Sequence, residues 1–426
     1  MLALDKGTLE RLVADTPDWV ASLRDEGFRQ FEAMEMPSQV EEVWRYVDLD
    51  LDLGDFAVAE KPGAALTRDE AFSAGLGDLA GRALVVDGVP IEVVSDAPAG
   101  VTFAAISTVL DDPQLRSIYG TGVPAGLDKF AAAHHAFGGD GVFLFVPKGT
   151  AVAQPFLIDV QSTTAESVSF PRITLLVEDG ADANVVIHYR SGDETLLVVP
   201  QIESKAGANA RLRVTGVQEW GSRTTAIAQV ALAAERDATV TLGEVGVGGA
   251  LARLHITIDL NGQGSRGEVD GLYFGDRDQV LDYRAFMNHR APNTTSDMFL
   301  KGAVEDDADS VFTGLIRIEP QAQKTNAFQT NRNLVLSEGA EAQSVPNLEI
   351  LANDVKCGHG STVGPLDLEQ RYYLMSRGLD RIRADRLQVR GFFEEAIRRL
   401  PVQGIADSVR ERVNAKYVAA QEEGRV

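Results

Sequence analysis

The strongest constraint on the fold is a corner that the chain repeats. Gly180-Ala181-Asp182-Ala183, Gly207-Ala208-Asn209-Ala210, Gly249-Ala250-Leu251-Ala252 and Gly339-Ala340-Glu341-Ala342 share one chemistry, and looser copies begin at Asp237 and Asp307. Each is followed by a strand-like run, with several intervals of about 30 residues. A Gly or Asp start suits the positive-φ or Asx geometry of a corner, and the small alanines suit close packing behind it. The runs between are β-branched and apolar: Val142-Phe143-Leu144-Phe145-Val146, Ile173-Thr174-Leu175-Leu176-Val177, Val185-Val186-Ile187-His188-Tyr189 and His255-Ile256-Thr257-Ile258-Asp259-Leu260. Long amphipathic helical patterns are largely absent from 96–365. A turn-plus-strand unit repeated over that length reads as stacked coils, a β-helix, although a pair of β-sandwiches also fits the pattern.

Both flanks read as helical. Over 1–95, Leu9, Leu12, Val13, Trp19, Val20, Leu23, Phe28 and Phe31 recur at three- and four-residue steps. Ser38 and Glu41 are spaced as a capping box ahead of Val43, Trp44 and Tyr46. From 51 to 95 the chain is acidic and loop-like. Over 366–426, Asp367 is placed to cap a helix through Leu374-Met375 that Gly378 ends. Ile382, Leu387, Phe392, Phe393, Ile397 and Leu400 then mark an apolar stripe that Pro401 closes, with one more helix from Ile405 to about 420.

Bulk composition narrows the function. Forty basic against 63 acidic residues leave a net charge of −23, which opposes binding to nucleic acid or anionic membrane. No apolar run approaches the roughly 20 residues of a membrane span, and the start lacks a basic and apolar leader. With a single cysteine there is no internal disulfide, so a soluble cytoplasmic protein is expected.

That cysteine carries the most chemical interest. Cys357 and His359 stand two apart in Lys356-Cys357-Gly358-His359-Gly360-Ser361-Thr362, so on a strand they project from one face. A thiolate and an imidazole begin a soft-metal site. Two donors do not complete one, because zinc sites and iron–sulfur clusters normally take four. The pair is therefore structural or is completed by another chain. The remaining histidines read as structural: His289 as a core or corner residue satisfied by backbone groups, His188 and His255 within strands. His134-His135 suggest a helix or turn with at least one ring in solvent. No phosphate loop, Gly-x-Ser-x-Gly elbow or His-Glu-x-x-His motif occurs, so no enzymatic activity is expected.

The same region carries a family resemblance. Asn288-His289, Pro292-Asn293-Thr294-Thr295-Ser296, Lys301-Gly302, the run Gln323–Ser337, Val345-Pro346-Asn347-Leu348-Glu349-Ile350, Lys356–Gly364 and Ser376-Arg377-Gly378 resemble, in order and spacing, the SufB/SufD family of iron–sulfur assembly scaffolds, and its SufD side in particular. The resemblance is specific from 287 to 379, fair from about 130 to 190 and thin elsewhere. It implies a mainly β fold: a right-handed parallel β-helix over 96–365, between an N-terminal helical domain (1–95) and a C-terminal helical domain (366–426).

It further implies a non-catalytic subunit that pairs with SufB through the β-helix. The C-terminal helices would hold the ATPase SufC, and a transient iron–sulfur cluster would form at the SufB contact. His359 and Cys357 are the implied iron or cluster ligands, with His359 the stronger because a neutral imidazole ligates iron without losing a proton. Asn331 stands where SufB is expected to carry its sulfur-accepting cysteine, and Gly360 where SufB carries a glutamate. This chain would then depend on SufB for both. Whether a reduced flavin binds the whole complex stays open. The run Asp380–Arg386 is more basic than the family pattern. Two other readings compete: a self-sufficient homodimer whose two Cys357/His359 pairs make one four-ligand site, and a carbohydrate-active β-helix enzyme.

Overall fold

The computed structural model describes residues 1–14 and 16–422. The chain coils into two sheets, one of twelve strands and one of ten, and from Arg211 onward successive strands alternate between them. Arg211–Glu219, Thr239–Gly246, Arg266–Gly275, Thr295–Val304, Asn326–Val335 and Lys356–Gly364 stack in the ten-stranded sheet. Thr224–Ala234, Leu251–Leu260, Val280–His289, Asp309–Ile318 and Glu341–Ile350 stack in the other. Every pairing between these coils is parallel, so the core is a parallel β-helix and not a pair of sandwiches.

Parallel stacking places equivalent residues in columns that face the lumen. One column runs Val185, Val214, Leu242, Val269, Met298. All five are fully buried, each held by the side chain in the coil below and the one above. Burying such a side chain stabilises the fold by about 1.5–3 kcal/mol. The corners hold the expected alanines: Ala181, Ala210, Ala238, Ala308 and Ala340 are all buried. Positive φ falls on Gly180, Asn209, Asp237 and Gly249, but at the Asp307 copy it lies one residue earlier, on Asp306, and Gly207 and Gly339 do not adopt it.

Two helices, Lys6–Val13 and Asp18–Ala33, open the chain, and Asp5 caps the first by accepting from the Thr8 amide. Phe28 and Phe31 meet Phe137 of the helix Lys129–Phe137 edge-on. The capping box at Ser38–Glu41 does not form. Only a short 3-10 turn, Glu42–Trp44, follows, and no side chain caps it. The segment is held instead by the solenoid wall: Arg253 donates to Val43 O and Arg284 to Arg45 O, each at 2.6 Å, and the Arg253 guanidinium lies over the Trp44 ring. Asp282 sits between the two arginines as their shared counter-charge.

The stretch expected to be loop-like before 95 contains the short strand Ala57–Val58, the helix Glu70–Gly75, and the strands Gly81–Val86 and Val89–Ser95, which finish one edge of the ten-stranded sheet. Gly81–Val86 is almost wholly buried and so lacks alternation, while Pro90 suits only an edge strand. At the other end of the chain, Asp367 caps Leu368–Ser376 as expected, accepting from Glu369 and Gln370, and Gly378 takes φ 94°. The helices Arg381–Arg399 and Ala406–Glu422 lie on the outer face of the ten-stranded sheet. There Phe393, Ile397, Leu400, Val409 and Val413 pack on Val217, Val245, Leu272, Phe274 and Phe299. Ile382 and Leu387 of the predicted stripe are exposed instead. Residues 423–426, within the expected C-terminal helical segment, lie outside the described residues.

Candidate metal centre at the open end of the solenoid

The strand Lys356–Gly364 ends the ten-stranded sheet and pairs on one side only, with Asn326–Val335. In that register Ala327 lies under Cys357, Gln329 under His359, Asn331 under Ser361 and Asn333 under Val363. Those four lower residues are all buried in the lumen. Cys357, His359, Ser361 and Val363 therefore continue the lumen-facing rows, with no coil above them. The consequence is graded exposure: Cys357 is half-buried against the core, while His359 and Ser361 are open. On the outer face Gly358 leaves room for Phe328, whose ring comes within 3.0 Å of where a β-carbon would stand.

The two donors differ in readiness. Partial burial raises the Cys357 thiol above its ordinary pKa, opposed by the Gly358 amide, so a metal ion would have to displace its proton. The His359 ring makes no hydrogen bond within the described chain and is free to turn. The one cluster of three or more ligating groups among the described residues is elsewhere, so no described residue supplies a third donor to Cys357 and His359.

A hydrogen-bonded brace holds the strand that carries them. Ser361 donates to Ser344 Oγ (2.7 Å), and Ser344 donates to Asn331 Oδ1 (2.7 Å). Asn333 Nδ2 donates to that same oxygen (2.7 Å), while Asn331 Nδ2 donates to Tyr273 Oη (3.2 Å). Tyr273 donates in turn to Asn333 Oδ1 (2.7 Å). Asn331 is thus a saturated amide in mid-strand.

Other expectations resolve differently. His134 and His135 are both buried on the helix Lys129–Phe137, so neither ring is in solvent. His135 Nε2 meets Val123 O at 2.7 Å, and burial with the charge of Arg172 lowers its pKa to about 4. His289 is satisfied by hydroxyls, Thr294 at 2.8 Å and Ser296 at 2.9 Å, in place of backbone groups. Arg377 lies over the Tyr373 ring.

A cluster that the sequence does not signal joins three distant segments. His188 Nε2 lies 2.5 Å from Glu219 Oε2 and its ring stacks on Phe72 at 4.1 Å. Arg412 reaches Asp69 and Glu219, each at 2.6 Å. Burial pushes both carboxyls up. The Phe72 amide with Arg412 outweighs it for Asp69, and His188 with Arg412 outweighs it for Glu219, so both end below their ordinary values. The three could ligate a metal, but the guanidinium already supplies their positive charge. The cluster acts as a clasp between the N-terminal segment, the solenoid wall and the last helix.

Fold and site together define a parallel β-helical protein whose last strand, paired on one side only, carries Cys357 and His359 on its lumen-facing side. Residues 160–392 match the family model described as "SUF system FeS cluster assembly, SufBD core domain", and residues 5–158 match "SufBD protein N-terminal region". The chain belongs to the SufB/SufD family of the SUF iron–sulfur cluster assembly system. It is similar to an iron–sulfur cluster assembly SufBD family protein of Mycobacterium tuberculosis (34% identical, covering 69% of this chain and 74% of the relative). It is also similar to SufD of Escherichia coli K12 (28%, 89% of each) and SufD of Bacillus subtilis 168 (31%, 67% and 66%). No described helix is long and apolar enough to cross a membrane.

Proposed function

We propose that this chain is the SufD-type, non-catalytic scaffold subunit of a SUF assembly complex. In this reading its open solenoid end abuts a SufB-type β-helix, and His359 with Cys357 offers two of the donors that hold iron and the nascent cluster. The observation that carries the reading is the placement of those donors. They lie on lumen-facing rows at the one strand where the rows end, so a second solenoid stacked there would bring its own residues into line with them. Asn331 cannot accept persulfide sulfur, and its amide is fully engaged in the brace.

The C-terminal helices would dock the SufC-type ATPase. In support, Leu368–Ser376 buries none of its residues, and Leu368, Tyr372, Tyr373 and Met375 stand exposed on it. Apolar surface of that extent marks an interaction site. ATP-driven pairing of two such ATPases would strain the SufB–SufD contact and open the site to iron.

Co-expression with SufB- and SufC-type partners tests this. A complex should form whose iron content drops when His359→Ala is introduced and whose assembly is unchanged. Unchanged iron in an intact variant complex would remove the ligand role. A stable cluster on the isolated chain, lost in the same variant, would favour the homodimer with two Cys357/His359 pairs.

A further inference from the structure

In the middle of the solenoid the lumen contains one carboxyl. Glu244, on the strand Thr239–Gly246, lies in the row Ile187, Gly216, Glu244, Gly271, Leu300. Both of its neighbours in that row are glycine. A β-carbon on Gly216 would stand 2.7 Å from both carboxyl oxygens, and one on Gly271 would stand 3.3 Å from Cβ of Glu244. The adjacent row repeats the device, for a β-carbon on Gly246 would strike the Tyr283 hydroxyl. These glycines make room that no other residue would leave.

Part of that room stays open. Ala228 and Leu254 pair in register and face the lumen between buried neighbours, yet both are half-exposed. A cavity of about 30 Å³ lies against them, walled by Tyr189, Trp220, Glu244 and Tyr283. One water needs on the order of 10–15 Å³ of such space, so about two fit. Glu244 is buried and has no hydrogen-bond partner within the described chain; nor have the hydroxyls of Tyr189 and Tyr283. Arg253 also lines the cavity, but its guanidinium is turned away onto the Trp44 ring, Asp282 and Val43 O, so no cation faces the carboxyl. The ionisable side chains that do face it are the phenols of Tyr189 and Tyr283, with Tyr273 stacked behind at 4.7 Å.

We infer that Glu244 anchors a hydrated site in the solenoid: its carboxyl, protonated in the folded chain at neutral pH, holds one or two waters in the cavity lined by Tyr189, Trp220 and Tyr283. The acid O–H donates to one water, and its carbonyl oxygen accepts from a water. The phenols take up the remaining bonds, which an apolar wall could not. Burial, the sole influence on this group, pushes its pKa to about 8, in keeping with a neutral acid. The solenoid thus carries one proton and a small water cluster in a row whose other positions from Ile187 to Leu300 are apolar or glycine.

Infrared spectroscopy and crystallography of the full chain test this. At neutral pH the parent should show the carbonyl stretch of a buried protonated acid, and Glu244→Gln, nearly the same size, should lose it. A high-resolution crystal structure should show one or two waters within hydrogen-bond reach of the carboxyl, and Glu244→Leu should have none. An unchanged band in Glu244→Gln overturns the inference. So does a dry cavity, a cation in place of water, or water that persists in Glu244→Leu. If the leucine variant does not fold, the glutamine variant and the parent structure still decide.

Discussion

The middle of the solenoid and its last two coils share register and strand length but are filled differently. Val185, Val214, Leu242, Val269 and Met298 make a continuous apolar column; the same column ends in Gln329 and His359. Its neighbour passes from Leu300 to Asn331 and Ser361. A lumen residue in the middle is covered from both sides, so apolar surface is the stabilising choice. At the end the covering coil is missing, and an apolar residue there would gain little from its one contact. Polar and metal-binding groups can be placed there at small cost to the fold. Apolar contacts are concentrated in the interior coils, and exposed polar side chains at the terminal ones.

That contrast can be broken at several points, and truncation of the column has the largest expected effect. Leu242→Ala should destabilise the chain by about 2–5 kcal/mol, whereas Val363→Ala on the terminal strand should cost under about 1 kcal/mol. Denaturant titration of both variants checks this, and equal losses would mean the end is as tightly packed as the middle. Glu244 is the interior exception. Its folded pKa of about 8 lies above the ordinary 4.5, so between those values the folded state holds a proton that the unfolded state has released. Stability from this group is therefore complete below about pH 4.5 and falls as pH rises through neutrality, by roughly 3 kcal/mol at pH 7. Melting curves from pH 5 to 8 should be flatter for Glu244→Gln than for the parent.

The clasp is expected to matter less. Arg412→Ala leaves Asp69 and Glu219 without their cation and should cost about 2 kcal/mol. The loss should shrink at acid pH, because carboxyls held below their ordinary values contribute stability above the unfolded pKa and lose it as pH falls. A pH-independent loss would show that Arg412 acts through packing alone.

What could be read from the sequence follows from how local each signal is. The corner alanines and the helix after Asp367 are short-range patterns, and both are in place. The pairing of Cys357 with His359 on one face follows from the two-residue period of a strand. That this face is the lumen does not, because it depends on register with Asn326–Val335. Glu244 between Gly216 and Gly271 was illegible for the same reason: the three lie in different coils and become neighbours only once the coils stack. The Arg412 clasp joins residues from the N-terminal segment, two coils and the last helix, and no window of sequence contains it. His134 and His135 mislead in another way. Alanines beside them suggest a solvated helix, yet alanine is also what lets a helix lie flush against a wall, and both rings are buried there.

The smallest expected effect on stability is also the sharpest test of the terminal coils. Ser361→Ala removes one exposed hydroxyl and its bond to Ser344, so it should cost no more than about 1 kcal/mol. Asn331→Ala goes deeper. It leaves Tyr273, Asn333 and Ser344 short of partners inside the lumen, with an expected cost of about 1–3 kcal/mol. If the brace exists to position the metal-facing strand, both variants should lower iron retention in the partnered complex in the same order. His359→Ala should lower it further while leaving the melting temperature unchanged. Iron loss that follows stability across all three variants would instead make His359 one more packing residue. Loss at His359 without any change in stability would separate chemistry from fold at the position where the column leaves the core.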